Sequence, residues 1–306
     1  MNRAIQAAIQ QKLAAEMGAA YGQARLEPSG TGCINSTWSA QARGVESLFI
    51  KLGAADALAM YEQEIAGLQT LRACTAIRVP HVHFSASITA DDGSHSAVLV
   101  LEFIALSSPR PQHDATIGTA LAQLHDIQGP AFGFEADNVI GRTPQINHWR
   151  QNWWEFWCQN RLQPQRRLAQ LRGMRAGLLE KLDHLIERIP QYFGDHQPQP
   201  SLLHGDLWSG NLAVDEQGRP VLYDPAVYFG DGETDLAMLR MFGGVRPAVF
   251  AAYHQQRPAQ SGLEQRRPLY DFYHWLNHFN LFGVGYLGQV ENTLDTLLAF
   301  TEFPGN

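Results

Sequence analysis

Residues 203–225, LHGDLWSGNLAVDEQGRPVLYDP, hold the densest set of chemically capable side chains in the sequence. Asp206 and Asn211 stand five positions apart, and Gly205, Ser209 and Gly210 interrupt any regular element, which places both on a loop. Two short apolar runs, 212–214 and 220–223, flank Asp215-Glu216-Gln217-Gly218, the pattern of a β-hairpin. Folding that hairpin about Glu216-Gln217 returns Asp224 to the open end beside Asn211. Two carboxylates and an amide oxygen then converge on one small region. Phosphoryl transfer needs such a set: one carboxylate orients the attacking hydroxyl and takes its proton, and hard oxygen ligands hold Mg2+ against nucleotide phosphates. Asp206 is the expected base, with Asn211 and Asp224 the expected Mg2+ ligands. Each residue alone is an ordinary turn-capping type. The whole string is far more restrictive.

The elements that must position these residues are legible in outline. Residues 45–52 (VESLFIKL) predict a strand, and small residues then lead into a helix. Leu58, Tyr61, Ile65 and Leu68 fall at spacings of three and four and make its apolar face. Residues 97–104 (AVLVLEFI) predict a strand buried on both faces. The Ser-Ser-Pro-Arg-Pro stretch at 107–111 marks a lobe boundary, dividing 1–106 from 107–306. Helices are expected at 115–127, about 148–170 and 174–189, with two or three more after 232. The N-terminal segment 1–26, with Ile9, Leu13 and Met17 every fourth residue, reads as a surface helix and not as a secretory leader. The expected fold class is α+β: a small β-rich N-lobe before a large, mainly helical C-lobe.

Composition bounds the function. A net charge of −7 argues against a nucleic-acid partner, which normally meets a basic surface. No apolar run reaches the roughly 18–20 residues a membrane span requires. Cys33, Cys74 and Cys158 are few, odd in number and far apart, so neither a disulfide framework nor a CxxC metal pair is expected and a reducing, cytoplasmic setting is the default.

The string at 203–225 resembles the catalytic and metal-binding segments of kinase-like phosphotransferases. His204-Gly205-Asp206 stands in place of His-Arg-Asp, and Asp224-Pro225-Ala226 in place of Asp-Phe-Gly. More narrowly, the sequence resembles the fructosamine kinase family, also called ketosamine-3-kinases. The residues that carry this are HGDLWSGN (204–211), YDPAVYFGDGETDLAMLRMFGG (223–244), and LAQLH with FGFEADNVIG and TPQIN between 121 and 147. WWEFWCQNRLQPQRRLA (153–169) and YHWLNHFNLFG (273–283) match as well. The resemblance covers most of the chain from Lys51 onward and implies a bilobal, protein-kinase-like fold.

It also implies roles outside the loop. Lys51 is similar to the lysine that contacts the α- and β-phosphates, with Glu64 as its helix partner; Glu62 competes but turns further from the apolar stripe. The Gly30-Thr31-Gly32-Cys33-Ile34-Asn35 stretch is placed to cover the phosphates with backbone N–H groups. Asn35 stands where a protein kinase would have a third glycine. Cys33, in that stretch, has the setting of a redox-sensitive thiol able to link a homodimer, against the plainer role of a small loop residue. Glu102-Phe103-Ile104 resembles the hinge whose backbone meets the adenine edge. Trp208 is placed to stack on the acceptor or simply to pack. Asp235 either caps its helix or braces the catalytic loop from behind. His274 and His278, four apart, lack the third ligand a metal site requires.

The activity implied is Mg·ATP-dependent phosphorylation of the third-carbon hydroxyl of a ketosamine, which destabilises the sugar–amine adduct. Two alternatives stay open on the residues alone: a kinase of the same fold for another alcohol (an aminoglycoside, choline or homoserine), and a non-catalytic nucleotide-binding or redox-sensing protein.

Overall fold

Strand alternation and helix capping fix the first hundred residues. The computed structural model describes residues 1–30 and 36–300. The chain opens with α1 (Arg3–Met17), whose first turn is capped by Asn2 accepting from the Ile5 N–H at 2.8 Å. A five-stranded antiparallel sheet follows, in spatial order β1 (Arg25–Pro28), β2 (Ser36–Gln41), β3 (Leu48–Ala54), β5 (His95–Glu102), β4 (Val82–Thr89). Helix α2 (Ala57–Leu71) crosses between β3 and β4.

Successive side chains of a strand point to opposite faces, and both faces of this sheet are covered. Leu48, Ile50, Val98 and Val100 pack with Ile5, Ile9 and Leu13 of α1. Ala97, Leu99 and Leu101 face the other way, toward Tyr61, Leu68 and Leu71 of α2. This double cover explains the nearly unbroken apolar run around residue 98. It also sets Lys51, one position from Ile50, on the α2 side.

The second part is mainly helical. It holds α3 (Asp114–His125), the β6–β7 hairpin (Asn138–Ile140 and Thr143–Gln145), α4 (Trp153–Phe156), a π-helical stretch (Trp157–Leu162) running into α5 (Gln163–Leu171), and α6 (Ala176–Phe193). Strands β8 (Ser201–Leu203), β9 (Leu212–Val214), β10 (Pro220–Leu222) and β11 (Tyr228–Gly230) follow, then α7 (Glu233–Met241), α8 (Pro247–Gln256), α9 (Leu263–Phe282) and α10 (Leu287–Ala299).

The α+β class and the hairpin at 212–222 match expectation, while several boundaries shift. The buried strand covers His95–Glu102, so Phe103 and Ile104 lie beyond it. The segment from 148 is no single helix: it begins at Trp153, where Asn152 caps it, and widens to π geometry. Among the described residues four α-helices, not two or three, follow residue 232. Strands β1, β2 and β4 escape pattern reading because polar residues such as Ser36, Ser85 and Ser87 dilute their alternation.

A single apolar cluster joins the two parts. It includes Tyr61, Leu68, Leu99 and Leu101 together with Leu121, Leu207, Leu212, Leu222, Leu239 and Tyr253. Arg78 adds a polar tie: its backbone bonds Pro220 O (2.8 Å) and Leu222 N (3.1 Å), and its guanidinium pairs with Glu102 and with Asp215 at 3.0 Å.

Candidate active site

Two antiparallel pairings bring the candidate residues together. Strand β8 feeds the loop holding Asp206, and β11, which pairs with it through Leu203 and Tyr228, begins four residues after Asp224. The hairpin of β9 and β10, with Leu212 opposite Leu222, sets Asn211 beside the segment carrying Asp224. Its turn is held by Asp215, which accepts from the Gln217 and Arg219 N–H groups at 3.0 and 2.9 Å.

The loop is braced on every side. Asp235 accepts from the His204 N–H at 2.7 Å and the Gly205 N–H at 2.9 Å, and His125 reaches the same carboxylate at 3.3 Å. Asp235 therefore braces the loop and is not the helix cap. Burial opposes its charge, but hydrogen bonds and the nearby His125 and His204 more than offset this, so its carboxyl lies below the usual range. Burial pushes His204 below the ordinary histidine value. Its Nε2–H donates to Tyr223 O at 3.0 Å, which leaves Nδ1 to accept the Asp206 N–H at 3.3 Å. Gly205 (φ 81°) is required at its position, because a Cβ there would stand 1.9 Å from Ala226 O.

Asp206 is partly buried, and Asn211 donates to its backbone oxygen at 2.8 Å and to its Oδ2 at 3.3 Å. Burial first, then the neighbouring Asp224 charge, push the Asp206 carboxyl up to about 7, against the bond from Asn211. A carboxylate tuned toward neutrality is matched to general-base work. Asp224 is half exposed and has φ 57°, a left-handed conformation that strains a residue bearing Cβ. Lys51, nearly buried, is ion-paired to Asp224 and to Glu64 at 2.7 Å. Burial alone would lower its pKa, but the two carboxylates raise it above the ordinary lysine value and keep the ammonium charged. Glu64, rather than Glu62, is thus the helix partner of Lys51.

Asn211 spends its amide N–H groups on Asp206 and, at 3.5 Å, on Asp224 O, which leaves Oδ1 as an acceptor. An amide oxygen and a half-exposed carboxylate suit a hard divalent cation. Beyond β5, the Phe103 N–H bonds Ser47 O at 3.4 Å, and the Glu102 side chain accepts from His81 N at 3.1 Å while pairing with Arg78. A cavity of about 540 Å3 lies between Ser47, Phe103–Ala105 and the hairpin turn; its lining includes none of Lys51, Asp206, Asn211 or Asp224. Gly30 adopts φ 80° at the end of β1, whereas Gly32, Cys33 and Asn35 lie outside the described residues.

After Asp206 on the same loop, Trp208 is partly exposed and lies over Gly210, where a Cβ would be 2.2 Å from its ring. From Trp208 the rings of Phe242 and His278 follow at centroid steps of 6.2 and 5.0 Å. His278 donates from Nδ1 to His274 O at 2.8 Å, and burial pushes His274 down to about 3. The pair packs among aromatic rings. A different cluster, His196, Asp231 and Glu233, has metal-ligand spacing, but Arg266 forks onto both Glu233 oxygens at 2.6 and 2.8 Å and neutralises it internally.

The fructosamine kinase family model matches residues 5–300. Among curated proteins, the chain is 42% identical over 279 residues to a probable ketoamine kinase of Synechocystis sp., covering 90% of each. It is 38% identical to the chloroplastic protein-ribulosamine 3-kinase of Arabidopsis thaliana, covering 88% of this chain and 81% of that protein. A solved structure from Haemophilus somnus, named a putative fructosamine-3-kinase, superposes with TM-score 0.85 at 25% identity over 97% of this chain and 100% of the other. An aminoglycoside phosphotransferase solved with streptomycin and ATP shares the fold (TM-score 0.63, 14% identity, 97% of each chain).

Proposed function

The chain belongs to the fructosamine kinase family, and from that premise we propose that it transfers the γ-phosphoryl group of ATP to the third-carbon hydroxyl of a ketosamine. The observation that carries this reading is the Lys51–Glu64–Asp224 ion-pair chain set beside Asp206 and Asn211.

In the proposed reaction the acceptor hydroxyl attacks the γ-phosphorus, a new P–O bond forms, and the β–γ bridging bond breaks to release ADP. Asp206 orients the hydroxyl and takes its proton. Lys51, held charged between Glu64 and Asp224, contacts the α- and β-phosphates. Asn211 Oδ1 and Asp224 would hold Mg2+, which would supply neutralisation of the nucleotide's phosphate charge. The backbone of Glu102, Phe103 and Ile104 receives the adenine edge, and Gly30 flanks the phosphates. Trp208 packs against the acceptor, with Phe242 and His278 continuing the aromatic wall. In this reading 1–106 is the nucleotide-binding lobe and 107–306 carries the catalytic loop and acceptor site. Catalysis rests on positioning and charge stabilisation.

The test incubates the purified protein with Mg·ATP and ribulosyl-lysine, fructosyl-lysine, an aminoglycoside or choline, following ADP and phosphorylated product. Transfer to a ketosamine that is lost in Asp206→Asn supports the reading. Transfer confined to another alcohol replaces the acceptor, and nucleotide binding without any transfer rejects the enzyme.

A further inference from the structure

The backbone just beyond Asp224 is gripped by a buried amide network that the reaction scheme leaves unused. Asn138 and Gln145, on the two strands of the β6–β7 hairpin, are 7% and 2% exposed. Asn138 Nδ2 donates to Val227 O at 2.8 Å, and Gln145 Nε2 donates to Ala226 O at 3.0 Å. The same Gln145 amide donates to Asn138 Oδ1 at 2.9 Å, and Asn147 donates to that oxygen at 3.0 Å. Tyr273 donates to Gln145 Oε1 at 3.2 Å, while Arg161 donates to Asn147 Oδ1 at 2.9 Å. Every member is therefore fixed by another, which is how a buried polar network gains rigidity.

Ala226 is the junction with the other catalytic limb. Its N–H donates to His204 O at 2.9 Å, and its carbonyl stands against Gly205 so closely that no Cβ fits there. Fixing Ala226 thus fixes, within two residues on each limb, both Asp206 and Asp224. Asp224 sits in a strained left-handed conformation that the surroundings must enforce.

We propose that Gln145 and Asn138 are positioning residues for phosphoryl transfer: by holding the Ala226 and Val227 carbonyls they set where Asp224 stands relative to Asp206. The inference rests on Asp224 being the metal-side carboxylate.

Gln145→Met keeps the volume and removes the donor, with Gln165→Met as control. Gln165 is an equally buried amide, bonded to Asn277 at 3.0 Å and Asn280 at 2.6 Å; it meets the network at the Tyr273 hydroxyl and not at Ala226 or Val227. In the unliganded protein, amide hydrogen exchange over 226–228 should quicken about tenfold or more in Gln145→Met and stay unchanged in the control. Calorimetric titration of a non-hydrolysable ATP analogue should need about five- to tenfold more Mg2+ for half-maximal tightening in Gln145→Met. Its kcat should fall about tenfold, with little change in acceptor KM. Should Gln145→Met fail to fold, Asn138→Asp carries the test, since it keeps both accepted bonds and sets a carboxylate oxygen against Val227 O in place of the donor. Exchange and Mg2+ dependence that stay at wild-type values, or that shift equally in Gln165→Met, overturn the proposal. Asp224→Asn separates the failures: wild-type Mg2+ dependence in that variant removes the premise about Asp224. A changed dependence there with none in Gln145→Met rejects the positioning role alone.

Discussion

Asp206 joins function to instability in one side chain. An unstructured aspartate ionises near pH 3.9, whereas this carboxyl ionises at about 7 in the folded protein. The folded state binds the proton more tightly, so stability falls as pH rises between those values and stays lower above them. Asp206→Asn removes that charge, and at pH 8 it should melt about 2–4 °C above wild type, as read by calorimetry. The same substitution should lower kcat by about 10²–10⁴, the scale of a positioned base. In wild type, kcat/KM should climb with unit slope in the logarithmic plot and level off near pH 7; a flat profile from pH 5 to 8 would remove Asp206 as the base. Lys51→Met should raise the KM for ATP about tenfold or more, through loss of a charged hydrogen-bond donor. The meeting of Asp206, Asn211 and Asp224 was legible because it depends on a loop and a hairpin within twenty residues. His125, Gln145 and Asn138 were not legible as parts of the site. Their partners lie 110, 81 and 89 positions away, and nothing in local spacing marks a histidine or amide that acts across such separations.

At the scale of elements, close approach decides more than propensity. Helices α3 and α8 meet at Gly118, where an added Cβ would stand 2.2 Å from Val249 O. That obstacle is backbone, so the helices must part. Gly118→Ala should destabilise the fold by about 1–3 kcal/mol in urea titrations, as overpacking does. It should lower kcat as well, since α3 carries His125 and α8 carries Tyr253, which is 2.9 Å from His125 Nδ1. Helix α2 uses glycine similarly: a Cβ on Gly67 would sit 3.0 Å from Pro225, immediately after Asp224. Period-based reading found α2 through its apolar stripe but could not see why Gly67 belongs in it. The π stretch at Trp157–Leu162 was also invisible, because an α-helical wheel assumes about 100° per residue throughout. Its widening places the Arg161 guanidinium over the Tyr228 ring at 4.1 Å and within reach of Asn147.

Across the whole molecule, the proposed division at 106 and 107 does not divide the core. The cluster that includes Tyr61, Leu68 and Leu99 is completed by Leu121, Leu212, Leu222 and Leu239 from beyond that division. A polypeptide of residues 1–106 should therefore fail to fold alone, giving a collapsed amide NMR spectrum. Dispersed resonances from that fragment would show that the sheet and its two helices suffice. The outer layer differs, since among the described residues the cluster of Ile5, Ile9, Leu13, Ile50, Val98 and Val100 draws on nothing after Val100. For recombination between relatives this inverts the obvious choice of crossover point. A chimaera joined at the proposed lobe boundary mismatches one shared core along its whole length. A graft of α1 with its facing strand residues disturbs only a self-contained layer, so sequence drift in that layer is free to run independently of the catalytic body.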